Sequence, residues 1–546
     1  STKPGQNMSF ALAEFRKKKE KPIPKDKLRK NNNEDKKKIF SLVGNFDEND
    51  PTKIILKVGA KKQETLDKMG MEEPPTHCDL ILFPKQIYQC MVPDLVRQAK
   101  GWVDAKKPFS KAMVHLLEKR KIPELIKLNQ QILNTPDKVA IFLTDFLSTA
   151  DGISLSLQGP PGTGKTTVTG ELIARLVKEG KRIAVTSQTH EAINNLLKRV
   201  DKKAESLDAN PFIVKISSGL SKNSDKRSLV GTKIQSISQK AFNSEHTVLG
   251  GTVFSLVKEC FSEEPFDLLV VDEAGQVSLS NLLFMSQCAR NILLVGDQNQ
   301  LSQPNRAAHP EDSDLSCLDY MMGNEKIVPT DRGVFLATSW RMPPSLTSVV
   351  SDLFYQGELQ SCMSKSENKI LWEGVQQGLM FEAVEHFGKA SECEEEINRI
   401  EELVNQFYGC SYQLVQQNSE GTSLFQGIIG RNEILITAPY NLQVNRLEKR
   451  LSSKARIGTV DRFQGQEAPI SIHSLTSSDA ENAPRGIGFV LDPDRLNVAI
   501  SRAQSLSIVV GSPSLATGIT ATVEGVMQVN RLCRIMDSAR EPVSLL

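Results

Sequence analysis

Short apolar runs recur along the chain and alternate with amphipathic stretches of helical period, most clearly after about residue 150. Runs of this kind between helical stretches are typical of strands in a parallel sheet. They occur at 153–158, 182–187, 268–271 and 291–295, and again at 434–438, 470–475 and 506–510. Because parallel strands need helical crossovers, the alternation predicts two successive parallel α/β sheets.

The first hundred residues have a different pattern. Short β-rich pieces at 52–58 and 78–83 are separated by glycine and proline breakers, which predicts a small barrel-like domain. Ahead of them, residues 16–38 hold a dense basic run that is typical of a solvated arm, with contact to a phosphate backbone as the alternative. Residues 107–148 have a helical pattern.

These patterns predict four parts of the chain. They are a basic flexible arm (1–38), a β-rich accessory domain (39–106), a first α/β domain preceded by a helical stalk (107–338) and a second α/β domain (339–546). The sequence begins at Ser1 without an initiator methionine, so the chain is expected either to carry a tag remnant ahead of Met8 or to be a piece of a longer polypeptide.

Composition excludes some classes of protein. The chain is 39% hydrophobic and 24% charged, as in ordinary globular proteins, and no apolar run approaches the roughly 20 residues that span a bilayer. Its nine cysteines are scattered without metal-ligand spacing, which indicates reduced thiols rather than a zinc or iron–sulfur site. A net charge of +2 does not decide whether nucleic acid is bound, because the local distribution matters more.

Residues 159–166, GPPGTGKT, match the G-x-x-x-x-G-K-[ST] pattern of a phosphate-binding loop between a predicted strand and a predicted helix. Glycines let backbone N–H groups turn toward phosphates, and the helix N-terminus adds the positive end of its dipole. We expect Lys165 to reach the β- and γ-phosphates of a nucleoside triphosphate, and Thr166 to ligate Mg²⁺. The residues of this segment that are expected to hold the nucleotide are Gly159, Gly162, Gly164, Lys165, Thr166 and Thr167.

A pair of carboxylates follows the apolar strand predicted at 268–271. Asp272 is expected to hold the magnesium shell, and Glu273 to orient and activate the attacking water. An acidic pair at a strand end can also be a plain surface feature, but its position about a hundred residues after a phosphate loop favours hydrolysis.

Four later segments complete an ordered set: GDQNQL at 296–301, WRMPP at 340–344, GTVDRFQGQE at 458–467 and LNVAISRA at 496–503. With the phosphate loop and DEAG at 272–275, they resemble superfamily 1 helicases over roughly residues 130–515. The sequences of these motifs are similar to those of the 5′→3′ subgroup. This subgroup includes nonsense-mediated-decay helicases, Okazaki-processing nuclease–helicases and bacterial helicases fused to RecB-type nucleases. This resemblance implies two RecA-like domains with ATP and Mg²⁺ between them.

The resemblance also implies roles for individual residues. Gln300 corresponds to a γ-phosphate sensor, and Arg341 and Arg502 correspond to arginine fingers of the second domain. Two guanidinium groups that enter across a cleft neutralise charge developing on the transferred phosphoryl group, whereas surface ion pairing is the alternative. Glu467 is similar to the residue that accepts from the ribose hydroxyl. Trp340 stands where an aromatic ring stacks on adenine in the family, or it is a core residue.

Nucleic-acid contacts are implied at Thr189 and His190, at Thr252 and at Thr459, which resemble three strand-contacting motifs of the family. Hydroxyls and backbone N–H groups suit contacts to phosphates without sequence readout. The alternative for each threonine is a helix N-cap. The adenine-reading glutamine of the family precedes the phosphate loop, where Gln130 and Gln131 are the candidates.

The predicted function is ATP-dependent translocation on single-stranded nucleic acid with duplex unwinding in the 5′→3′ direction, DNA being favoured over RNA. The alternatives are an RNA helicase and an ATP-switched clamp that does not unwind. No RecB-type nuclease constellation is recognisable ahead of the helicase motifs, so a nuclease is expected only as a partner, and the prolines at 343–344 replace a histidine of the family. No membrane association is expected, and the location is cytoplasmic in a bacterium or nuclear in a eukaryote.

Overall fold

The computed structural model divides into two compact units, Ser1–Val103 and Asp104–Leu546. In the first unit the structure describes the backbone of four strands. In the second it describes residues 110–129, 135–216, 229, 232–237, 242, 245–256, 264–302, 312, 315–418, 421–463, 465–479, 483–517 and 522–539.

The first unit contains an antiparallel sheet with strand order β3-β2-β1-β4. Its strands are β1 (Met8–Ala13), β2 (Phe40–Phe46), β3 (Ile54–Lys57) and β4 (Asp79–Leu82). Strands β3 and β4 lie within the two β-rich pieces predicted from the sequence. Strand β1, however, lies within the segment predicted as a flexible arm; its backbone groups pair with β2 and β4, which draws it into the sheet. The basic run at 16–38 lies outside the described residues.

The second unit begins its described part with three helices, followed by an eight-stranded, all-parallel sheet in the order β12-β5-β11-β10-β6-β9-β7-β8. The strands are β5 (Ser154–Gln158), β6 (Ile183–Thr186), β7 (Ile213–Ile216), β8 (Gln235–Ile237), β9 (Val248–Gly250), β10 (Phe266–Val271), β11 (Ala289–Gly296) and β12 (Gly333–Phe335). The helices are α1 (Lys111–Leu117), α2 (Pro123–Asn129), α3 (Pro136–Leu147), α4 (Lys165–Lys178), α5 (His190–Ser206), α6 (Leu279–Met285) and α7 (Cys317–Met322).

A second parallel sheet follows, with strand order β16-β22-β21-β19-β20, beside a two-stranded pair and a three-stranded antiparallel sheet, β15-β17-β18. The strands are β13 (Thr338–Ser339), β14 (Gln360–Ser361), β15 (Lys369–Leu371), β16 (Gly378–Ala383), β17 (Ser411–Asn418), β18 (Gly421–Ile428), β19 (Ile434–Thr437), β20 (Arg456–Gly458), β21 (Ala468–Ser474) and β22 (Ala503–Gly511). The helices are α8 (Pro344–Phe354), α9 (Glu394–Phe407), α10 (Asn441–Leu451), α11 (Ile487–Val490), α12 (Pro493–Ile500) and α13 (Val523–Ser538).

The apolar runs of the sequence form the strands at the centre of each sheet. Leu155 and Leu157 of β5 and Val270 of β10 are fully buried and pack against Val168 and Leu172 of α4. In the second sheet, β19 and β21 are buried along their whole length, and β22 is buried except at Gln504. The predicted fold class, two parallel-sheet α/β domains, is confirmed.

Sheet order determines where functional side chains can meet. Strands β5, β11 and β10 are neighbours in the first sheet, so the segments that follow them lie at one edge. In an open parallel sheet, that edge is where ligands bind. Among the described helices, none is long and apolar enough to cross a membrane.

Candidate nucleotide and nucleic-acid site

The phosphate loop curls tightly between β5 and α4. Gly162 and Gly164 have φ angles of +75° and +84°, a region that strongly favours glycine, and Gly164 caps the helix. A side chain at Gly162 would collide with the Cβ of Arg341, so this glycine also allows the second domain to approach. Lys165 folds back and donates to the carbonyl oxygen of Gly159. Thr166 and Thr167 lie half-buried in the first turn of α4.

The carboxylate pair lies directly beyond β10. The N–H of Asp272 donates to the carbonyl oxygen of Thr186 at 2.8 Å, which holds the end of β10 against β6. Burial, together with the neighbouring charge of Glu273, raises the pKa of Asp272 to about 7, while Lys165 opposes the shift. Glu273 adopts a left-handed conformation with φ of +52°, which turns its backbone sharply away from the strand direction.

These residues fit a nucleoside triphosphate with a magnesium ion. The loop offers a glycine cradle, a lysine and a helix N-terminus for phosphates. A hydroxyl at Thr166 and a buried carboxylate at Asp272 are oxygen donors of the kind that Mg²⁺ prefers. A cation beside Asp272 would offset the burial cost that raises its pKa.

Gln300 lies at the end of β11 in a dense set of hydrogen bonds. Its amide donates to Oδ2 of Asp297 at 2.7 Å, and its Oε1 accepts from Arg502 at 3.3 Å. Since Gln300 belongs to the first domain and Arg502 to the second, this contact crosses the cleft. The side chains of all three residues are buried.

Arg502 precedes β22 and is 2% exposed. Its guanidinium donates to the carbonyl oxygens of Val498 and Gln466, each at 3.1 Å, in addition to Gln300. Burial lowers the pKa of Arg502 to about 9, assisted by the charge of Arg341 and opposed by Glu273 and Glu467. The group therefore remains charged at neutral pH and lies within electrostatic range of Glu273.

Arg341 lies directly against the phosphate loop. The N–H of the preceding residue, Trp340, donates to the carbonyl oxygen of Gly162 at 2.8 Å. The Arg341 side chain donates to Glu467 at 2.6 Å and to the carbonyl oxygen of Ser501 at 2.9 Å. The Arg341 charge holds the pKa of Glu467 below its usual range. Trp340 is half-buried at this boundary.

The four residues implied in nucleic-acid contact do not form one hydrogen-bonded cluster in the described part of the chain. Thr189 is exposed and caps α5 by accepting from the N–H of Ala192 at 3.2 Å, and His190 begins that helix. Thr252 follows β9, and its hydroxyl lies 3.3 Å from that of Ser255. Thr459 follows β20, half-buried. Thr189, Thr252 and Thr459 each lie shortly after a β-strand, and the N-cap alternative applies to Thr189. Gln130 and Gln131 lie outside the described residues.

One residue of this region, Asn368, was not predicted from the sequence. Asn368 is 1% exposed; its amide donates to the carbonyl oxygens of Arg341 at 3.1 Å and Gln504 at 2.9 Å, and its Oδ1 accepts from Val415 at 2.8 Å. It therefore fixes the backbone beside both candidate arginine fingers. No spacing rule connects a lone asparagine to arginines at such distances along the chain.

Asp494 in the first turn of α12 gives a pH-dependent prediction. Burial, and then the charge of Asp492, raise the pKa of Asp494 to about 7, while Lys326 opposes the shift. An unfolded aspartate has a pKa of about 3.9. The parent therefore loses stability as the pH rises from about 4 to 7, because folding then requires either protonation or a buried charge. We expect Asp494→Asn to raise the free energy of unfolding by about 1–2 kcal/mol more at about pH 8 than at about pH 5, after allowance for partial solvent screening.

Urea unfolding at the two pH values measures this difference. Asp151→Asn is the control, because Asp151 is exposed and Lys111 lowers its pKa. Equal stabilisation by Asp494→Asn at both pH values would contradict the prediction.

The chain is similar to several known proteins. Two family models, each described as an AAA domain, match residues 142–310 and 314–514. A DNA replication ATP-dependent helicase/nuclease dna2 of Schizosaccharomyces pombe is 28% identical over 67% of this chain and 27% of its own length. A regulator of nonsense transcripts 1 homolog of Drosophila melanogaster is 24% identical over 66% of this chain and 33% of its own length.

Among solved structures, a complex of an Arterivirus nonstructural protein 10 (helicase) with DNA is 14% identical and has a TM-score of 0.35, over 69% of this chain and 62% of that chain. The present chain thus spans about a third or less of the two curated relatives. On the two matched domains and these relatives, it belongs to the superfamily 1 helicases, in the subgroup that includes the Dna2 helicase/nucleases and the regulators of nonsense transcripts.

Proposed function

We propose that this chain is an ATP-driven motor that moves along single-stranded nucleic acid and separates duplexes. One observation carries the proposal. Lys165 lies within electrostatic range of Asp272 in the first domain. From the second domain, Arg502 donates to Gln300 at 3.3 Å and Arg341 lies beside Gly162 of the phosphate loop. A site divided between two domains makes ATP hydrolysis sensitive to their separation.

In this proposal the first domain binds the nucleotide and activates the attacking water. Lys165 and the loop N–H groups hold the phosphates, and Glu273 accepts a proton from the attacking water. Thr166 and Asp272 would hold a magnesium ion, which would neutralise phosphate charge when bound. Glu467 and Trp340 are proposed to face the ribose and the base, respectively.

The second domain is proposed to stabilise the transition state. Arg341 and Arg502 neutralise the charge that develops on the transferred phosphoryl group, and Gln300 senses that group. Trp340 and Arg341 already lie against the phosphate loop, so the Arg341 guanidinium would reach the phosphates by turning away from Glu467. Hydrolysis then weakens these contacts and lets the domains part.

The nucleic-acid strand is proposed to bind along the segments that follow β6, β9 and β20. Thr189, Thr252 and Thr459 lie there, and their hydroxyls and nearby N–H groups suit contacts to phosphate. Alternating grip by the two domains would convert each ATP cycle into a step along the strand.

Thr189 allows a direct test, because aspartate is as good an N-cap as threonine. We expect Thr189→Asp to keep α5 capped but to weaken binding of single strands by about tenfold, since a carboxylate repels phosphate. Thr189→Ser is the matched control and should bind like the parent. Fluorescence anisotropy with a labelled oligonucleotide measures the effect; parental affinity in Thr189→Asp would remove Thr189 from the binding surface.

DNA is proposed as the main substrate, because the dna2 relative is named for DNA replication, while the nonsense-transcript relative keeps RNA as the alternative. A nuclease partner and 5′→3′ movement are proposed on the same family likeness. ATP turnover measured with matched single-stranded DNA and RNA oligonucleotides tests the substrate. Stimulation by DNA well above that by RNA supports the proposal, whereas the reverse order assigns the chain to RNA.

A further inference from the structure

A closed ring of hydrogen bonds joins the two α/β domains beside the nucleotide crevice. The phenol of Tyr355 donates to Oδ2 of Asp297 at 2.6 Å, and the amide of Asn497 donates to the phenol oxygen at 2.7 Å and to the carbonyl oxygen of Asn299 at 2.6 Å. The N–H of Asn299 completes the ring by donating to Oδ1 of Asp297 at 3.3 Å. Two of the four bonds therefore cross from one domain to the other.

The ring is enclosed. Tyr355 and Asn497 have no exposed surface, and Asp297 and Asn299 are at most 5% exposed. Leu301 of the first domain packs against Val460, Val498 and Ala499 of the second in an apolar cluster at the same boundary. Because water is excluded, each hydrogen bond is electrostatically stronger, and each broken one leaves a costly unpaired group.

The ring touches the candidate γ-phosphate sensor through a single carboxylate. Oδ2 of Asp297 accepts from both Tyr355 and Gln300, and Gln300 in turn accepts from Arg502. Burial and the Asp297 charge raise the pKa of Tyr355 well above its usual range, so the phenol remains a donor. The orientation of Gln300 therefore depends, through Asp297, on Tyr355 of the opposite domain.

We propose that Tyr355 is a positioning residue that couples closure of the two domains to the placement of Gln300, an inference that rests on the proposed ATP-driven function. The two bonds that cross the boundary share the ring, so separation of the domains breaks both and frees Asp297 to rotate. Gln300 then loses its fixed partner. Hydrolysis is thereby restricted to the closed arrangement.

A double-mutant cycle in the full chain tests the coupling. With saturating single-stranded oligonucleotide, we expect Tyr355→Phe to lower kcat for ATP by about tenfold and to leave KM within about twofold. Gln300→Ala should cost more, and Tyr355→Phe should then add nothing in the double variant, because its effect passes through Gln300. Losses that multiply, or parental kcat in Tyr355→Phe, would overturn the proposal.

Tyr320→Phe is the matched control, since the Tyr320 phenol donates to the carbonyl oxygen of Leu117 within the first domain. Tyr355→Phe removes two phenol hydrogen bonds and Tyr320→Phe removes one, so both should lower the melting temperature, but only Tyr355→Phe should lower kcat. If Tyr355→Phe fails to fold, Asn497→Ala opens the ring on its other side and enters the same cycle with the same expected result.

Hydrogen exchange separates failure of the ring from failure of the proposed function. The peptide that covers 296–301 should exchange faster in Tyr355→Phe than in the parent or in Tyr320→Phe. Faster exchange in Tyr355→Phe than in the parent, combined with a parent that hydrolyses no ATP, would support the ring and reject the ATP-driven function. Unchanged exchange would reject the ring itself.

Discussion

Glu273→Gln is expected to bind ATP like the parent and to hydrolyse it at least about a hundredfold more slowly, because the amide keeps the shape of the side chain but cannot accept a proton. Lys165→Ala should bind ATP poorly, because the ammonium group that is proposed to face the phosphates is lost. The two variants therefore separate binding from turnover at one site. Binding is measured with a fluorescent nucleotide, and turnover by phosphate release with single strands present.

Lys178→Ala is the control for the lysine. Lys178 lies at the other end of α4 and donates to the carbonyl oxygen of Leu207, so its loss should leave binding and turnover unchanged. Parental turnover in Glu273→Gln would show that another residue activates the water.

Arg502→Lys is expected to lower kcat by about a thousandfold or more while the fold is retained. Lysine keeps the charge but cannot reproduce the guanidinium contacts to Gln300, Gln466 and Val498, and arginine fingers contribute about 10³–10⁵ to phosphoryl transfer. Arg534→Lys, at an exposed pair with Asp352, is the control and should behave like the parent. Single-turnover hydrolysis measures the chemical step. A loss below about tenfold would assign Arg502 to structure rather than to catalysis.

Much of the fold followed from local pattern. The apolar runs predicted β6, β10, β11, β19, β21 and β22 to within a few residues. Strands of a parallel sheet are buried on both faces, so their residues form nearly continuous apolar runs. The hairpin of β17 and β18 was not predicted, since its strands mix polar and apolar residues and β18 is largely exposed. Strand β1 was likewise missed within a segment dominated by a neighbouring basic run.

In the candidate site, likewise, some residues could be predicted from the sequence and others could not. The phosphate loop and Asp272 follow from a contiguous motif on a strand end, where the backbone itself places the side chains. The Tyr355–Asp297 and Asn497–Asn299 bonds join residues far apart in sequence across two domains, so no spacing could reveal them. Thr189 is intermediate: the motif located it, and the structure adds that it caps α5. The roles of all these side chains remain predictions.

Strand displacement tests the central claim, that ATP drives this chain along a strand. Two DNA duplexes of equal sequence, one with a 5′ single-stranded tail and one with a 3′ tail, are incubated with the parent or with Lys165→Ala, with and without ATP. We expect ATP-dependent displacement from the 5′-tailed duplex by the parent alone. Displacement from the 3′-tailed duplex would reverse the proposed direction of movement but would still support an ATP-driven motor. Strand-stimulated ATP hydrolysis with no displacement from either duplex would contradict the claim and identify an ATP-switched clamp.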